Sequence, residues 1–420
     1  MKKTVALLLG ILMLTLACGT ALAEPYPLDV IIAEYGPNTR EWFLGAADGM
    51  GNGKNFVQAF EEANPDVKLN LEVVSWNDLA TVVATRIQEQ NAPDILNIDT
   101  FAQYHADGLL LPASDYISDE LMADFFPSFI EQSTVDGVCW AVPDLASARA
   151  LYYNKAILDE VGVEVPVTWA ELEDVCDAIV EFYDGEIYPW GVDMTTDEGQ
   201  AAFAYYSWTN NGGFVDVEGN WTLNSDANVE AVEFAVGLVN KGYTNPNPAT
   251  QTRYDLQDMF AAGKLAMLIA PNQLPTIVKN SGNIIDYGLA SIPHNEGAST
   301  ASAGVMDRIM AFRDDAADQV ARNAAIAAFC EFFYDPANYV GWVTMEDFLP
   351  AVNSAVEAMV AADPGFQAWL DVLAGSQFYP TAKGEWADVK VGVIQVEQNA
   401  LSGGDVRALL DELQTKIAGA

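Results

Sequence analysis

The sequence predicts an α/β protein built as two lobes. One observation is the order of the elements, because strand and helix patterns alternate through the first third of the chain. The other is length: 397 of the 420 residues remain after a leader of 23 residues. That is more than one hydrophobic core ordinarily holds, and alternating strands and helices favour a mostly parallel sheet.

The first 23 residues have the pattern of an export signal. Two lysines precede an apolar run over residues 5–17, and Ala-Leu-Ala at residues 21–23 supplies the small side chains that a signal peptidase recognises. The run is shorter than the roughly 20 residues that a membrane-spanning helix needs. We therefore predict a signal peptide over residues 1–23 and an exported protein, extracellular or periplasmic. Cys18 leaves an alternative open, in which its lipidation anchors the protein to the membrane.

The strand and helix patterns of the first lobe predict where a site lies. Apolar strands and helical stripes follow one another over residues 28–33, 56–64, 67–73, 79–87 and 95–98. In open sheets of this type ligands bind beyond the carboxyl ends of the strands. The residues that follow three strand ends are therefore site candidates, namely Tyr35, Trp76, Asp99 and Thr100. Two alternatives stay open: Trp76 is a core residue, and Asp99 forms an Asx turn or caps a helix.

Composition excludes several classes of partner. The formal net charge is −41, from 60 acidic and 19 basic residues, and it becomes −43 without the leader. Such a surface repels nucleic acid and anionic lipid, and we expect neither as a partner. Solubility is the simpler explanation of this charge, so the charge does not specify a cationic ligand.

The sequence also offers no catalytic pattern. His105 and His294 are the two histidines, and no HExxH, GxSxG or phosphate-binding glycine loop is present. With 60 acidic residues, any particular carboxylate pair is uninformative. We predict a protein that is not an enzyme and has no catalytic residue, cofactor or metal. The cysteines of the remaining chain are odd in number and widely spaced, and Cys176 and Cys330 are predicted to be small buried hydrophobes.

Five short segments, spread over nearly the whole chain after the leader, form a recognisable series. They are residues 60–68 (FEEANPDVK), 92–95 (APDI), 137–143 with 151–155 (LYYNK), 166–172 (PVTWAEL) and 260–267 (FAAGKLAM). In this order and spacing they resemble the extracellular solute-binding proteins of ABC sugar importers, the maltose-binding-protein-like family.

The resemblance implies a periplasmic-binding-protein-like fold with a ligand cleft between two discontinuous lobes. The implied division assigns 24–145 plus 293–340 to the N-terminal lobe and 146–292 plus 341–420 to the C-terminal lobe. Chain crossings between the lobes are expected near residues 144–148, 291–295 and 341–350.

The implied function is that of the substrate-binding component of an ABC importer outside the cytoplasm. Such a protein captures a mono- or oligosaccharide by lobe closure and delivers it to the permease. The expected partners are this small-molecule solute and the transmembrane subunits of the permease. We expect a monomer.

The resemblance adds further candidates for ligand contact, because sugar sites combine aromatic faces with planar polar groups. Trp386 stands at the spacing from Pro380 at which the family places a sugar-stacking tryptophan. Ser147 falls where the family has a ligand-contacting glutamate. Arg149, two residues on, either forms a salt bridge within the hinge or holds a ligand carboxylate. Asp99 matches the family's loop after the third strand.

A glycine-containing turn of the family, which presents backbone groups and a side chain to the ligand, corresponds to residues 302–307. It adds Gly304 and Asp307 to the candidates.

Two departures from the family pattern bear on the ligand. Asn272 and Gln273, which we include among the candidates for ligand contact, stand where the family often has a turn with a stacking tryptophan. Ala202 stands where the family has a stacking tyrosine. They favour a smaller or more polar ligand than maltose. A polyamine is an alternative, held by the carboxylates of Glu34, Asp99, Asp144 and Asp307. A surface enzyme acting on glycans is another.

Overall fold

A computed structural model describes residues 24–45, 49–345 and 347–419 of the chain. The predicted signal peptide and Cys18 lie outside these ranges. No helix within them is long and apolar enough to cross a membrane.

The described ranges contain short strands and many helices. The strands are β1 (Tyr26–Glu34), β2 (Val67–Ser75), β3 (Ile95–Ile98), β4 (Thr134–Val135), β5 (Val138–Cys139), β6 (Val142–Asn154), β7 (Tyr188–Gly191), β8 (Leu265–Pro271), β9 (Tyr287–Ala290), β10 (Ala303–Ala311), β11 (Leu349–Pro350) and β12 (Gln377–Phe378). The helices are α1 (Pro37–Leu44), α2 (Phe56–Ala63), α3 (Trp76–Gln88), α4 (Ala102–Ala106), α5 (Asp119–Asp124), α6 (Pro127–Glu131), α7 (Lys155–Val161), α8 (Trp169–Tyr183), α9 (Gly199–Trp208), α10 (Asp226–Asn240), α11 (Arg253–Ala261), α12 (Leu274–Asn280), α13 (Gln319–Tyr334), α14 (Pro336–Met345), α15 (Asn353–Ala362), α16 (Phe366–Ala374), α17 (Trp386–Leu401) and α18 (Val406–Ala418).

The first lobe is a sheet with strand order β2-β1-β3-β10-β6 and helices on both faces. Strands β1, β2 and β3 are parallel, which confirms the predicted β-α-β-α-β order. One face packs against α2 and α13, through Phe60 and Phe329 among others. The other face packs against α3, through Leu79 and Val83. Both faces are buried, as expected for a parallel sheet.

The second lobe is built on the far half of β6, which pairs with β8 and β9. β7 lies parallel to β8 at the edge. Helix α8 begins with a capping box, in which the Glu171 amide donates to Thr168 Oγ1 at 3.2 Å and the Thr168 amide donates to the Glu171 carboxylate at 3.0 Å. The stripe of α8 that includes Cys176 is buried, as predicted, and Cys330 is buried in the first lobe.

Two antiparallel strands connect the lobes. β6 begins in the core of the first lobe and ends in that of the second, and β10 runs back beside it with Gly304 opposite Ala148. The return crossing thus lies near residues 303–307, later than the expected 291–295. Residues 294 and 295 still belong to the second lobe, since the His294 amide donates to the Val167 carbonyl at 3.0 Å.

Candidate functional site

A cleft of about 430 Å³ lies where the two lobes face each other. Five helices of the described part of the chain begin at, or directly after, a residue that lines it: α1 after Gly36, α3 at Trp76, α9 after Glu198, α11 at Arg253 and α12 after Gln273. Four of them, α1, α3, α9 and α12, follow the carboxyl ends of strands β1, β2, β7 and β8, whereas α11 follows α10. The positive ends of several helix dipoles thus lie around the cleft.

The structure brings most of the predicted site residues together. Seven of the eleven candidates line this cleft: Tyr35, Trp76, Asp99, Ser147, Arg149, Gln273 and Asp307. Most of the predicted residues that line the cleft thus come from the first lobe and from the strands that cross between the lobes. Whether these side chains contact a ligand stays a prediction.

Asp99 faces a lysine of the opposite lobe. Its Oδ2 atom lies 3.0 Å from Nζ of Lys390 on α17, and both side chains are largely buried. The Asp99 carbonyl accepts a hydrogen bond of 2.7 Å from Arg308 Nη1, which fixes the loop after β3. The Asp99 carboxylate therefore forms an ion pair across the cleft instead of capping α4.

Arg149 belongs to a buried charge network on the second-lobe side of the cleft. Its Nε donates to Glu198 Oε1 at 3.0 Å, and Nη1 donates to the Ser147 hydroxyl. Arg253 Nε lies 3.2 Å from Glu198 Oε2 and 3.7 Å from Asp197 Oδ2. Burial raises the pKa of Glu198, but the two guanidinium groups more than offset it and leave the pKa lowered. Of the two alternatives for Arg149, the structure thus shows the internal salt bridge.

Asp307 lies at the first-lobe side of the cleft, beside the phenol of Tyr35. Tyr35 donates a hydrogen bond of 3.0 Å to Asn97 Oδ1, and Asn97 in turn donates one of 2.8 Å to Asp144. Burial, together with the charge of Asp99, raises the pKa of Asp307 to about 7. Burial also raises the pKa of Asp144, which is fully buried and does not line the cleft.

The raised pKa of Asp307 predicts a pH dependence of stability. Because it lies above the unfolded value of about 3.9, the folded state binds more protons between pH 4 and 7, and stability falls as pH rises through that window. Asp307→Asn should remove this term. We expect the stability of the variant relative to the parent to rise with pH, by up to about 1.4 kcal/mol per pH unit between pH 5 and 7. Urea unfolding of both proteins at pH 5, 6, 7 and 8 measures it, and a pH-independent difference would contradict the assignment.

Aromatic rings from both lobes form part of the wall. Tyr35 and Trp76 meet edge to face with centroids 5.6 Å apart, and Tyr254 and Tyr379 stand on the second-lobe side. Such rings present apolar faces to the cleft.

Trp386 does not lie in the cleft wall, contrary to its predicted position. It is 1% exposed and packs in the core of the second lobe, where it stacks on Tyr379 at 5.1 Å and meets Phe214 edge to face. Trp386 is the first residue of α17, and its side chain turns inward. Tyr379, stacked on it, reaches the cleft instead.

Three other candidates also lie outside the lining. Asn272 ties the lobes together, since its Oδ1 accepts from the Ala148 amide at 3.1 Å and its Nδ2 donates to the Asp347 carbonyl. Gly304 packs against the Phe378 ring and leaves no room for a side chain, because a Cβ there would lie 2.5 Å from the ring. Thr100 is half-buried beside the lining residue Asp99.

Sequence reasoning missed nine described residues of the wall that carry a charge or an aromatic ring: Asp197, Glu198, Arg253, Tyr254, Asp258, Asp347, Phe348, Tyr379 and Lys390. Two had a usable pattern. Arg253 and Tyr254 directly follow Thr252, which forms a capping box with Asp255 and so marks a helix start. The others had none. Within the described ranges, no group of three His, Cys, Asp or Glu side chains is placed to hold a metal ion.

Comparisons with known proteins agree with this architecture. A predicted binding protein of Brucella abortus is 27% identical over 422 residues, covering 99% of this chain and 97% of its own. The mannitol-binding protein of Pseudomonas aeruginosa is 32% identical over 120 residues, covering 27% of this chain and 28% of its own. The maltose-bound MalE3 structure of T. maritima has a TM-score of 0.79 at 17% identity, covering 94% of this chain and 99% of its own.

A family model for bacterial extracellular solute-binding proteins matches residues 47–340, which is more than half of the chain. With this match, the chain belongs to the bacterial extracellular solute-binding protein family.

Proposed function

We propose that this protein is the substrate-binding component of an ABC importer and captures a carbohydrate by closure of its two lobes. The observation that carries the proposal is the cleft itself, whose wall combines aromatic rings with buried hydrogen-bonding groups from both lobes. Because contacts to both lobes exist together only in the closed form, a ligand shifts the population toward that form.

The polar groups of the wall suit hydroxyl groups. Gln257 is almost fully buried, and its Oε1 has no hydrogen-bond partner among the described residues. Gln273 Oε1 is likewise without one. A buried acceptor without a donor is costly, so a ligand hydroxyl that donates to it gains affinity. The mannitol-binding relative and the maltose-bound structure support a polyhydroxy ligand.

The cleft suits a polyamine less well. Of the four carboxylates that would hold one, Glu34 pairs with Arg40 at 3.2 Å and Asp144 is enclosed by Asn97 and Trp342. Asp99 is already paired with a lysine. A cation would therefore have to compete with protein charges that are in place.

The packing also supports a modified division into lobes. We propose that the first lobe includes α14 and α15, since Trp342, Val352 and Met359 pack with the first-lobe core. The predicted division placed residues 341–420 entirely in the C-terminal lobe. Helices α17 and α18 pack on α9 and α10 and complete the second lobe.

Family membership implies a place outside the cytoplasm. We propose cleavage after residue 23, with lipid anchoring through Cys18 as the alternative, and delivery of the solute to a permease by a monomer. Intact-mass analysis of the exported protein separates the two processing routes.

A ligand panel tests the proposed function. Pentoses, hexoses, hexitols, disaccharides and a diamine are compared by thermal shift, and hits are measured by calorimetry. We expect at least one carbohydrate to bind, to raise the melting temperature by mass action and to lower the radius of gyration in X-ray scattering. At 100 times Kd the stabilisation is about 2.7 kcal/mol.

Two results would contradict the proposal. One is binding of the diamine with no response to any carbohydrate. The other is turnover of a carbohydrate by the protein, which would indicate an enzyme. Bovine serum albumin in the same panel controls for dye artefacts.

A further inference from the structure

Lys390 is a charged residue of the cleft that joins the two lobes. It lies on α17, one helical turn after Trp386, whose burial fixes the orientation of that end of the helix. Its ammonium crosses to the first lobe and lies 3.0 Å from Asp99 Oδ2. Both residues line the cleft.

The other positively charged side chains near the Lys390–Asp99 pair have other partners. Arg149 and Arg253 line the cleft but both contact Glu198. Arg308 lies behind the wall and donates to the Ser133 and Thr381 hydroxyls and to the carbonyls of Asp99 and Met306. Among the described residues that line the cleft, Lys390 is therefore the cation that offsets the carboxylates of Asp99 and Asp307.

We propose that Lys390 determines the charge of the ligand that the cleft accepts. With its ammonium in place, the ligand meets a donor and a carboxylate acceptor side by side, which suits adjacent hydroxyl groups of an uncharged molecule. Without it, no cation of the described cleft lining offsets Asp99 and Asp307, and an ammonium group of a ligand can take the position of the lysine. That the natural ligand is uncharged rests on the proposed function. The change in affinity for a cationic ligand when Lys390 is replaced is measured separately.

The test removes the positive charge of Lys390 and keeps a side chain of similar length. Lys390→Met removes the ammonium, and putrescine serves as the cationic probe with 1,4-butanediol as its uncharged counterpart. Calorimetry at pH 8 and low ionic strength should show putrescine binding to Lys390→Met at least tenfold tighter than to the parent, weakening as salt is added. Butanediol should show no such gain. Lys390→Arg, which keeps the charge, should behave as the parent.

Lys416→Met provides the matched control. Lys416 is exposed on α18 outside the cleft, so this variant loses one positive charge and changes only the general attraction of the acidic protein for cations. Lys390→Gln is a second uncharged variant, used if Lys390→Met does not fold.

The outcomes separate clearly. A gain in Lys390→Met or Lys390→Gln that is absent in Lys390→Arg and Lys416→Met supports the proposal. No gain in a folded uncharged variant overturns it, as does an equal gain in Lys390→Arg or Lys416→Met. If the parent binds no carbohydrate but the gain for putrescine is present, the proposed function fails while the role of Lys390 stands.

Discussion

Trp386→Ala is expected to lower the free energy of unfolding by about 3–5 kcal/mol, the usual cost of removing a large ring from a packed core. The ring is 1% exposed and packs between Tyr379 and Phe214. Its removal leaves a cavity that neighbouring side chains fill only in part. The effect on ligand affinity should be smaller and indirect, through loss of the support on which Tyr379 rests. Urea unfolding and calorimetric affinity on the same preparation measure both quantities.

Trp76→Ala is the matched variant. Its ring is half-buried in the cleft wall, so its removal should weaken ligand binding, by the roughly 1–3 kcal/mol expected for lost ring contact, more than it lowers stability. The reverse pattern, with Trp386→Ala stable but deficient in binding, would show that its ring turns into the cleft when a ligand is bound.

The sequence allowed the fold and the strand-end residues to be predicted. Alternation of strands and helices fixes a parallel sheet, and the carboxyl ends of its strands meet at one edge. Tyr35, Trp76 and Asp99 were found from this rule, because their positions depend only on where strands end. The family resemblance added Arg149 and Asp307, which lie on the strands that cross between lobes.

Residues that reach the cleft through helix packing could not be predicted in this way. Trp386 and Lys390 lie one turn apart on the same side of one helix, and the packing of that helix decides that the tryptophan enters the core and the lysine lines the cleft. That packing includes contacts with α9 and α10, which are far away in the sequence. The Lys390–Asp99 pair joins residues 291 positions apart, which no local pattern indicates.

The partners of buried ion pairs could not be predicted for the same reason. Arg149 was left between two roles because Glu198 is 49 residues away and precedes an ordinary helix. With 60 acidic residues in the chain, nothing marks Glu198 as the partner. Its identity follows only once α9 is placed against β6.

Glu198→Gln is expected to cost about 3–5 kcal/mol of stability, because it leaves two guanidinium groups without their shared carboxylate in a site that is largely withdrawn from water. Arg149→Met should cost less, toward the lower end of that range, since Arg253 still pairs with Glu198. The double variant should be more stable than the sum of the two losses predicts, because it removes both members of one pair.

Arg407 and Asp226 supply the matched control for this cycle. They form an ion pair on the surface, where Asp226 is 98% exposed, and Arg407→Met should cost less than about 1 kcal/mol. Urea unfolding of the five proteins measures all the terms. If Glu198→Gln cost no more than Arg407→Met, the network would be solvated in solution, and the two arginines would then be available to bind an anionic ligand in place of the uncharged one.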